Sequence, residues 1–184
     1  MSGIEHVTLV VGEFELRPPV AEDAAGALAM LQDPDVRQWD PGPTDLDLDR
    51  VRAWCEKSAD WSDGSFACWT VREDSRLVGY AYLNRIDRES QRSAGVAYRT
   101  APWARGRGVA SSALVAITAF AFDELGLERL LLPHAVANPA SCRVADKCGY
   151  LLEGVERGGF RDEAGRRWDA HIHGRLADGV VVQS

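Results

Sequence analysis

The sequence has no apolar run approaching the roughly 18 residues that a membrane-crossing helix needs, so no such helix is predicted. Its opening stretch, MSGIEHVTLVVGEF, lacks the basic lead and apolar block of a secretory signal. Cysteine is scarce: Cys55, Cys68, Cys142 and Cys148 form no C-x-x-C pair. Free thiols in a reducing cytoplasm are therefore expected. Positive charge is also short, with 21 Lys and Arg against 28 Asp and Glu, a net charge of −7. Such a field repels phosphate, so neither nucleic acid nor an anionic membrane surface is expected as a partner. Repeats, low-complexity tracts and linkers are missing too. The 184 residues, 46% of them hydrophobic, fit one domain spanning 1–184.

The acid that is present is concentrated. Between Glu22 and Asp63 stand eleven acidic residues and four basic ones. This stretch is either a solvated helical face or a surface that attracts a cationic substrate.

Patterning predicts mixed α and β structure. Val7–Val11 and Glu13–Arg17 read as strands, stopped by Pro18 and Pro19. Ala21–Gln32 reads as a helix ended by Asp33 and Pro34, followed by a Pro41–Pro43 loop. Asp45–Ser58 is a second helix entered through an aspartate cap. Phe66–Arg72, Arg76–Ile86 and Ser93–Thr100 are expected strands, and Gly106–Leu125 a long helix with one wide apolar stripe. Arg129–Val136 suits a buried strand and Pro139–Lys147 a short helix with proline in its first turn. Tyr150–Gly158 and Arg167–Gly174 are expected to close the chain as a hairpin.

The strand Ser93–Thr100 runs through a short loop into Arg105-Gly106-Arg107-Gly108-Val109-Ala110 and then the long helix. A helix N-terminus carries unpaired N–H groups and a partial positive charge, and glycines let a ligand approach the backbone. This is the geometry of an anion site. It is not a phosphate-binding Walker loop, which ends in Gly-Lys-Ser/Thr. The arginines match a polyphosphate better than one carboxylate. A second motif follows the next strand: Asn138-Pro139-Ala140-Ser141, Val144 and Gly149-Tyr150.

With both motifs in order, the chain resembles the GNAT superfamily of acyl-CoA-dependent N-acetyltransferases, in particular its RimJ/RimL-like branch. The family's Q/R-x-x-G-x-G/A signature corresponds to Arg105, Gly108 and Ala110, and its N-x-x-S-x-x-V-x-x-x-x-G-Y/F element to Asn138, Ser141, Val144, Gly149 and Tyr150. ELRPPVAEDA, Glu15–Ala24, is similar to that branch's first strand and helix. The resemblance implies an α+β fold: a central, twisted, mostly antiparallel sheet with a splayed strand pair, flanked by helices.

It also implies acetyl-CoA as acyl donor and a primary amine as acceptor, either a protein N-terminus or a small cationic amine. Pyrophosphate is expected on the amides of Arg105, Gly106, Arg107, Gly108, Val109 and Ala110, with Ser111 as a hydroxyl neighbour. Pantetheine is expected along Val96, Tyr98 and Thr100, with Asn138 assisting. Ser141 is the candidate acid for the leaving thiolate, or alternatively only a helix cap. The tyrosine that many relatives carry seven residues after the asparagine is replaced by Ala145, and the acidic residue of their splayed strand by Gly95. A succinyl- or other acyl-CoA donor, and a non-catalytic CoA-binding sensor, therefore stay open as alternatives. A homodimer is allowed.

Of the remaining candidates, His171 and His173 share one strand face. With no third ligand at suitable spacing they are not read as a metal site. His134 reads as a satisfied buried histidine. Trp54 and Trp69 read as core, Trp103 as packing beside the phosphate loop, and Trp39 and Trp61 as candidate walls of the acceptor pocket.

Overall fold

The computed structural model describes residues 3–40, 42–43 and 45–182; Pro41, in the expected Pro41–Pro43 loop, lies outside them. Eight strands form one sheet: β1 (Leu9–Val11), β2 (Phe14–Arg17), β3 (Ala67–Glu73), β4 (Arg76–Asp87), β5 (Ser93–Thr100), β6 (Arg129–Ala135), β7 (Leu151–Arg161) and β8 (Arg167–Leu176). Their order is β1-β2-β3-β4-β5-β6-β8-β7. Every neighbouring pair is antiparallel except β5 and β6. Those two pair in parallel over only three positions, from Ser93↔Arg129 to Gly95↔Leu131, and are unpaired beyond. That is the splayed pair the resemblance implies.

The helices are α1 (Ala24–Leu31), α2 (Pro34–Trp39), α3 (Leu48–Ser58), α4 (Val109–Ala119) and α5 (Pro139–Lys147). Two cores cover the sheet. Val109, Leu114 and Ile117 of α4 and Ala145 of α5 pack with Trp61, Trp69 and Leu83. Ala27 and Met30 of α1, Val36 of α2 and Val51 and Cys55 of α3 pack with Leu77 and Tyr80 of β4. Burial on both faces explains why β3 and β4 read as nearly continuous apolar runs.

Three expectations change. Asp33 and Pro34 do not merely end a helix: Asp33 accepts from the Val36 N–H and starts α2, with Pro34 in its first turn. The cap of α3 is Asp47, which accepts from Arg50 N–H, so the helix starts after the predicted Asp45. The long helix begins only at Val109, and its last turn, Phe120–Glu124, widens to a π turn before Gly126.

Charge anchors the first helices to the sheet. The Asp23 side chain is fully buried between Arg17 and Arg72, each 2.8 Å away, and takes a further hydrogen bond from Thr70. Burial pushes its carboxyl up, but the hydrogen bonds from Arg17 and Val20 and the Arg17 charge hold it below the ordinary aspartate value.

Candidate active site

A cleft of about 1040 Å³ opens where β5 and β6 part. Val96, Tyr98, Thr100, Arg105, Gly106, Gly108, Val109, Ala110, Ser111, Asn138 and Ser141 all line it. Of the residues expected to hold CoA or to act in catalysis, Arg107 is the one that does not.

The loop before α4 is built for backbone contact. Gly106 and Gly108 have φ of +76° and +84°, and a Cβ at Gly106 would meet nothing within 4 Å. Gly108 is the N-cap, and no side chain caps the helix. The first amides of α4 thus face the cleft without an internal partner, which is where a helix attracts an anion. The arginines are engaged elsewhere. Arg105 pairs with Asp33 at 2.6 Å and Asp35 at 2.9 Å, and Arg107 with Glu73 and, at 3.7 Å, Glu13. Free anion-binding capacity therefore resides in the loop's amides rather than in its guanidiniums. Ser111 Oγ also bonds inward, donating to the Gly108 carbonyl at 2.9 Å.

Across the cleft, Asn138 caps α5: its Oδ1 accepts from the Ser141 N–H at 3.3 Å. Ser141 is therefore not the cap of its helix. Its carbonyl accepts from the Tyr98 hydroxyl at 3.4 Å, tying α5 to β5. Burial pushes the Tyr98 phenol well above its ordinary value, so it stays neutral. Ala145 is fully buried, so the position of the relatives' tyrosine belongs to the core.

Gly95 faces Asn84 across the β4–β5 ladder, and a Cβ there would lie 2.4 Å from Asn84 Oδ1. Asn84 lines the cleft and fills the space that an acidic side chain at position 95 would need.

The other end of the cleft is aromatic. Trp39, on α2, lies 6.0 Å from Phe160 and 6.2 Å from Trp168 between ring centres, and Trp39 and Phe160 line the cleft. Arg37 pairs with Glu163, fastening α2 to the β7–β8 hairpin. Phe160 and Trp168 were missed from sequence because only tertiary folding brings residues 160–168 against residue 39. Trp61 is corrected: it is 1% exposed, packs on Trp69 and donates to the Ser58 carbonyl, so it walls no pocket. Trp103 donates to the Leu77 carbonyl at 2.9 Å beneath the loop.

The acidic stretch is largely compensated, in part by arginines from outside it. Asp40 pairs with Arg99, Asp45 with Arg50 and Asp49 with Arg52, while Asp47 caps α3. Arg99 is sandwiched against Tyr80 and Tyr82, its cation held by both rings and by Asp40. An attracting field for a cationic substrate is correspondingly weakened.

His134, expected to be satisfied, is not: it is buried, and its Nε2 has no hydrogen-bond partner among the described residues. Burial holds its imidazole below the ordinary histidine range. No third ligand stands at suitable spacing beside His171 and His173 in the sequence, but the fold brings candidates to them. His134 and Cys142 join them, because β6 pairs with β8 and α5 packs over both. Spacing along the chain hides this, since the four residues come from three elements.

An open antiparallel sheet parted at one parallel pair, with an uncapped helix N-terminus in the gap, is the arrangement that the GNAT resemblance implies. The acetyltransferase (GNAT) domain family matches residues 13–151, and the chain belongs to that family. It is 34% identical over 87 residues to Bacillus subtilis (strain 168) YdaF, which carries the name of a ribosomal N-acetyltransferase; the match covers 47% of each chain. The chain matches about half the length of such curated relatives. In fold it is similar to Mycobacterium smegmatis RimJ in complex with CoA-disulfide, with a TM-score of 0.80, 22% identity, and coverage of 94% of this chain and 87% of that one. It is also similar to the Vibrio cholerae spermidine N-acetyltransferase in complex with CoA and spermine, with a TM-score of 0.77, 22% identity, and coverage of 89% and 95%. These names agree with the RimJ/RimL-like resemblance of the motifs. Among the described residues no helix is long and apolar enough to cross a membrane.

Proposed function

We propose that this chain is a single-domain cytoplasmic N-acetyltransferase that transfers acetyl from acetyl-CoA to a primary amine. The observation that carries this reading is the uncapped N-terminus of α4, with its two left-handed glycines, at the mouth of the β5–β6 gap. Pyrophosphate rests on the amides from Gly106 to Ser111. Pantetheine extends along Val96–Thr100 by strand addition to the edge that β6 leaves free. The Asn138 side-chain N–H₂ donates to it from the opposite wall, since its Oδ1 is held by Ser141.

The neutral amine attacks the thioester carbon, and the C–N bond forms as negative charge moves to the carbonyl oxygen. A backbone N–H of β5 stabilises that oxyanion. The intermediate collapses, the C–S bond breaks and the thiolate leaves. Ser141, which lines the cleft and is not engaged in capping α5, relays a proton through its hydroxyl to the thiolate as it regains one from solvent. The nitrogen loses its proton to water, because Gly95 and Asn84 offer no carboxylate base on the splayed strand. The acceptor is a protein N-terminus or a small amine, received in the cleft beside the packed rings of Trp39 and Phe160.

Asn84 filling the position of the missing acid, and Ala145 that of the missing tyrosine, favour one second reading: a CoA-binding module without turnover. Free-thiol release from acetyl-CoA across a library of primary amines and N-terminal peptides separates the two. The transferase reading expects amine-dependent thiol release. Tight CoA binding without turnover on any amine establishes the second reading instead.

A further inference from the structure

Three histidines and a cysteine meet beneath α5. His134 and His171 are register partners on β6 and β8, so both side chains leave the sheet on one face. His173, two residues along, shares that face. Cys142 packs over them from α5, its Sγ 3.1 Å from His171 Nδ1 and 3.8 Å from His173 Nε2. One ligand atom from each of the four residues lies within 4.8 Å of the other three.

The hydrogen bonds around the cluster turn lone pairs inward. His134 Nδ1 lies 2.9 Å from the Ala135 carbonyl, and His173 Nδ1 lies 3.3 Å from the Tyr150 carbonyl. A carbonyl only accepts, so each Nδ1 carries the proton and each Nε2 presents a lone pair. Backbone carbonyls on the far nitrogens are also the usual outer contacts that orient metal-bound histidines. His134 Nε2 is the decisive atom. The residue is 7% exposed, and this nitrogen is buried with no hydrogen-bond partner among the described residues. An unsatisfied buried lone pair is destabilising unless something is there to receive it.

We propose that His134, Cys142, His171 and His173 form a closed tetrahedral site for a zinc-class divalent cation, fastening α5 to the β6–β8 ladder. Imidazole and thiolate ligands suit zinc, and four protein ligands leave no open position for a substrate, which makes the site structural. Zn–N bonds of about 2.0–2.1 Å and a Zn–S bond of about 2.3 Å require ligand atoms roughly 3.3–3.6 Å apart. Small side-chain rotations supply the change, drawing in the wider pairs and opening the 3.1 Å Cys142–His171 pair slightly. On binding, the Cys142 thiol releases its proton to solvent and its sulfur donates to the metal as thiolate. Because Cys142 directly follows Ser141, the cation also fixes the first turn of the helix that faces the cleft. This site stands independently of the transferase reading.

The test uses the untagged full chain, stripped by chelator and titrated with Co²⁺ or Zn²⁺. One equivalent of Co²⁺ is expected to give the intense visible bands of a tetrahedral ion and a thiolate-to-cobalt charge-transfer band. Zinc is expected to bleach both and to raise the Tm by several degrees, reversed by chelation. Cys142→Ser is expected to remove the charge-transfer band, and His171→Ala to weaken cobalt binding by more than about tenfold with unchanged circular dichroism. A pale octahedral spectrum in the wild-type chain overturns the proposal, as does binding well below one equivalent. An unchanged charge-transfer band in Cys142→Ser overturns it equally.

Discussion

At its α4 end the cleft is lined by backbone: amides of one short loop, bared by Gly106 and Gly108 and backed by a buried helix. At its α2 end it is lined by side chains from distant parts of the chain, Trp39 and Asp40 against Arg99 and Phe160. The first end depends on conformation, so it tolerates change in side chains but not in glycines. The second depends on the docking of α2 against the β7–β8 hairpin, so it is sensitive to packing. On the proposed function, the backbone-made end suits the acyl donor and the side-chain end the amine acceptor.

The largest expected effect strikes both ends alike. Asp23→Asn leaves Arg17 and Arg72 without their buried carboxylate and is expected to cost about 3–5 kcal/mol of folding stability. Denaturant unfolding at neutral pH checks this. The carboxyl of Asp23 is held below its unfolded value, so its contribution is present above the ordinary aspartate pKa and lost as pH falls through the folded one. The gap between wild type and variant should therefore narrow on acidification.

Next comes chemistry without destabilisation. Ser141→Ala is expected to lower kcat about 100-fold with little change in KM for acetyl-CoA. Tm should hold, because Asn138 supplies the cap of α5. Unchanged turnover in a chemistry-limited assay removes Ser141 from the acid role.

Gly108→Val separates the two ends. A branched side chain at φ +84° is strained, and its bulk would crowd the loop proposed to hold the pyrophosphate. CoA affinity by calorimetry should fall at least about tenfold. Conversely, Trp39→Ala should raise KM for the acceptor severalfold and leave CoA affinity intact, since Trp39 packs on Phe160 and Trp168. If both variants shift both constants equally, the division between the ends is wrong. The smallest effect is expected for Asp45→Asn. Asp45 is paired with Arg50 at the surface, so KM for basic acceptors at low salt should not change.

This division also explains what the sequence discloses. Ser93–Thr100, the Gly-Arg-Gly loop and Pro139–Lys147 were legible because local rules dictate them: a strand, glycines that bare a turn, a proline in the first turn of a helix. The splay of β5 from β6 followed from the family resemblance. The ion pairs of the loop's arginines were not legible because their carboxylate partners, Asp33, Asp35 and Glu73, lie 34–72 residues away. α2 was missed because Asp33-Pro34 reads equally as an end and a beginning. The histidine–cysteine cluster needs β6, β8 and α5 brought together, a pairing that no spacing rule reports.

The most direct test of acyl-donor binding in the β5–β6 gap is a crystal structure of the chain with CoA. Pyrophosphate oxygens are expected within hydrogen-bond distance of the amides between Gly106 and Ser111, with pantetheine lying along Val96–Thr100 in the gap left by β6. CoA bound elsewhere, or held chiefly by guanidiniums that have abandoned Asp33, Asp35 and Glu73, would contradict this placement.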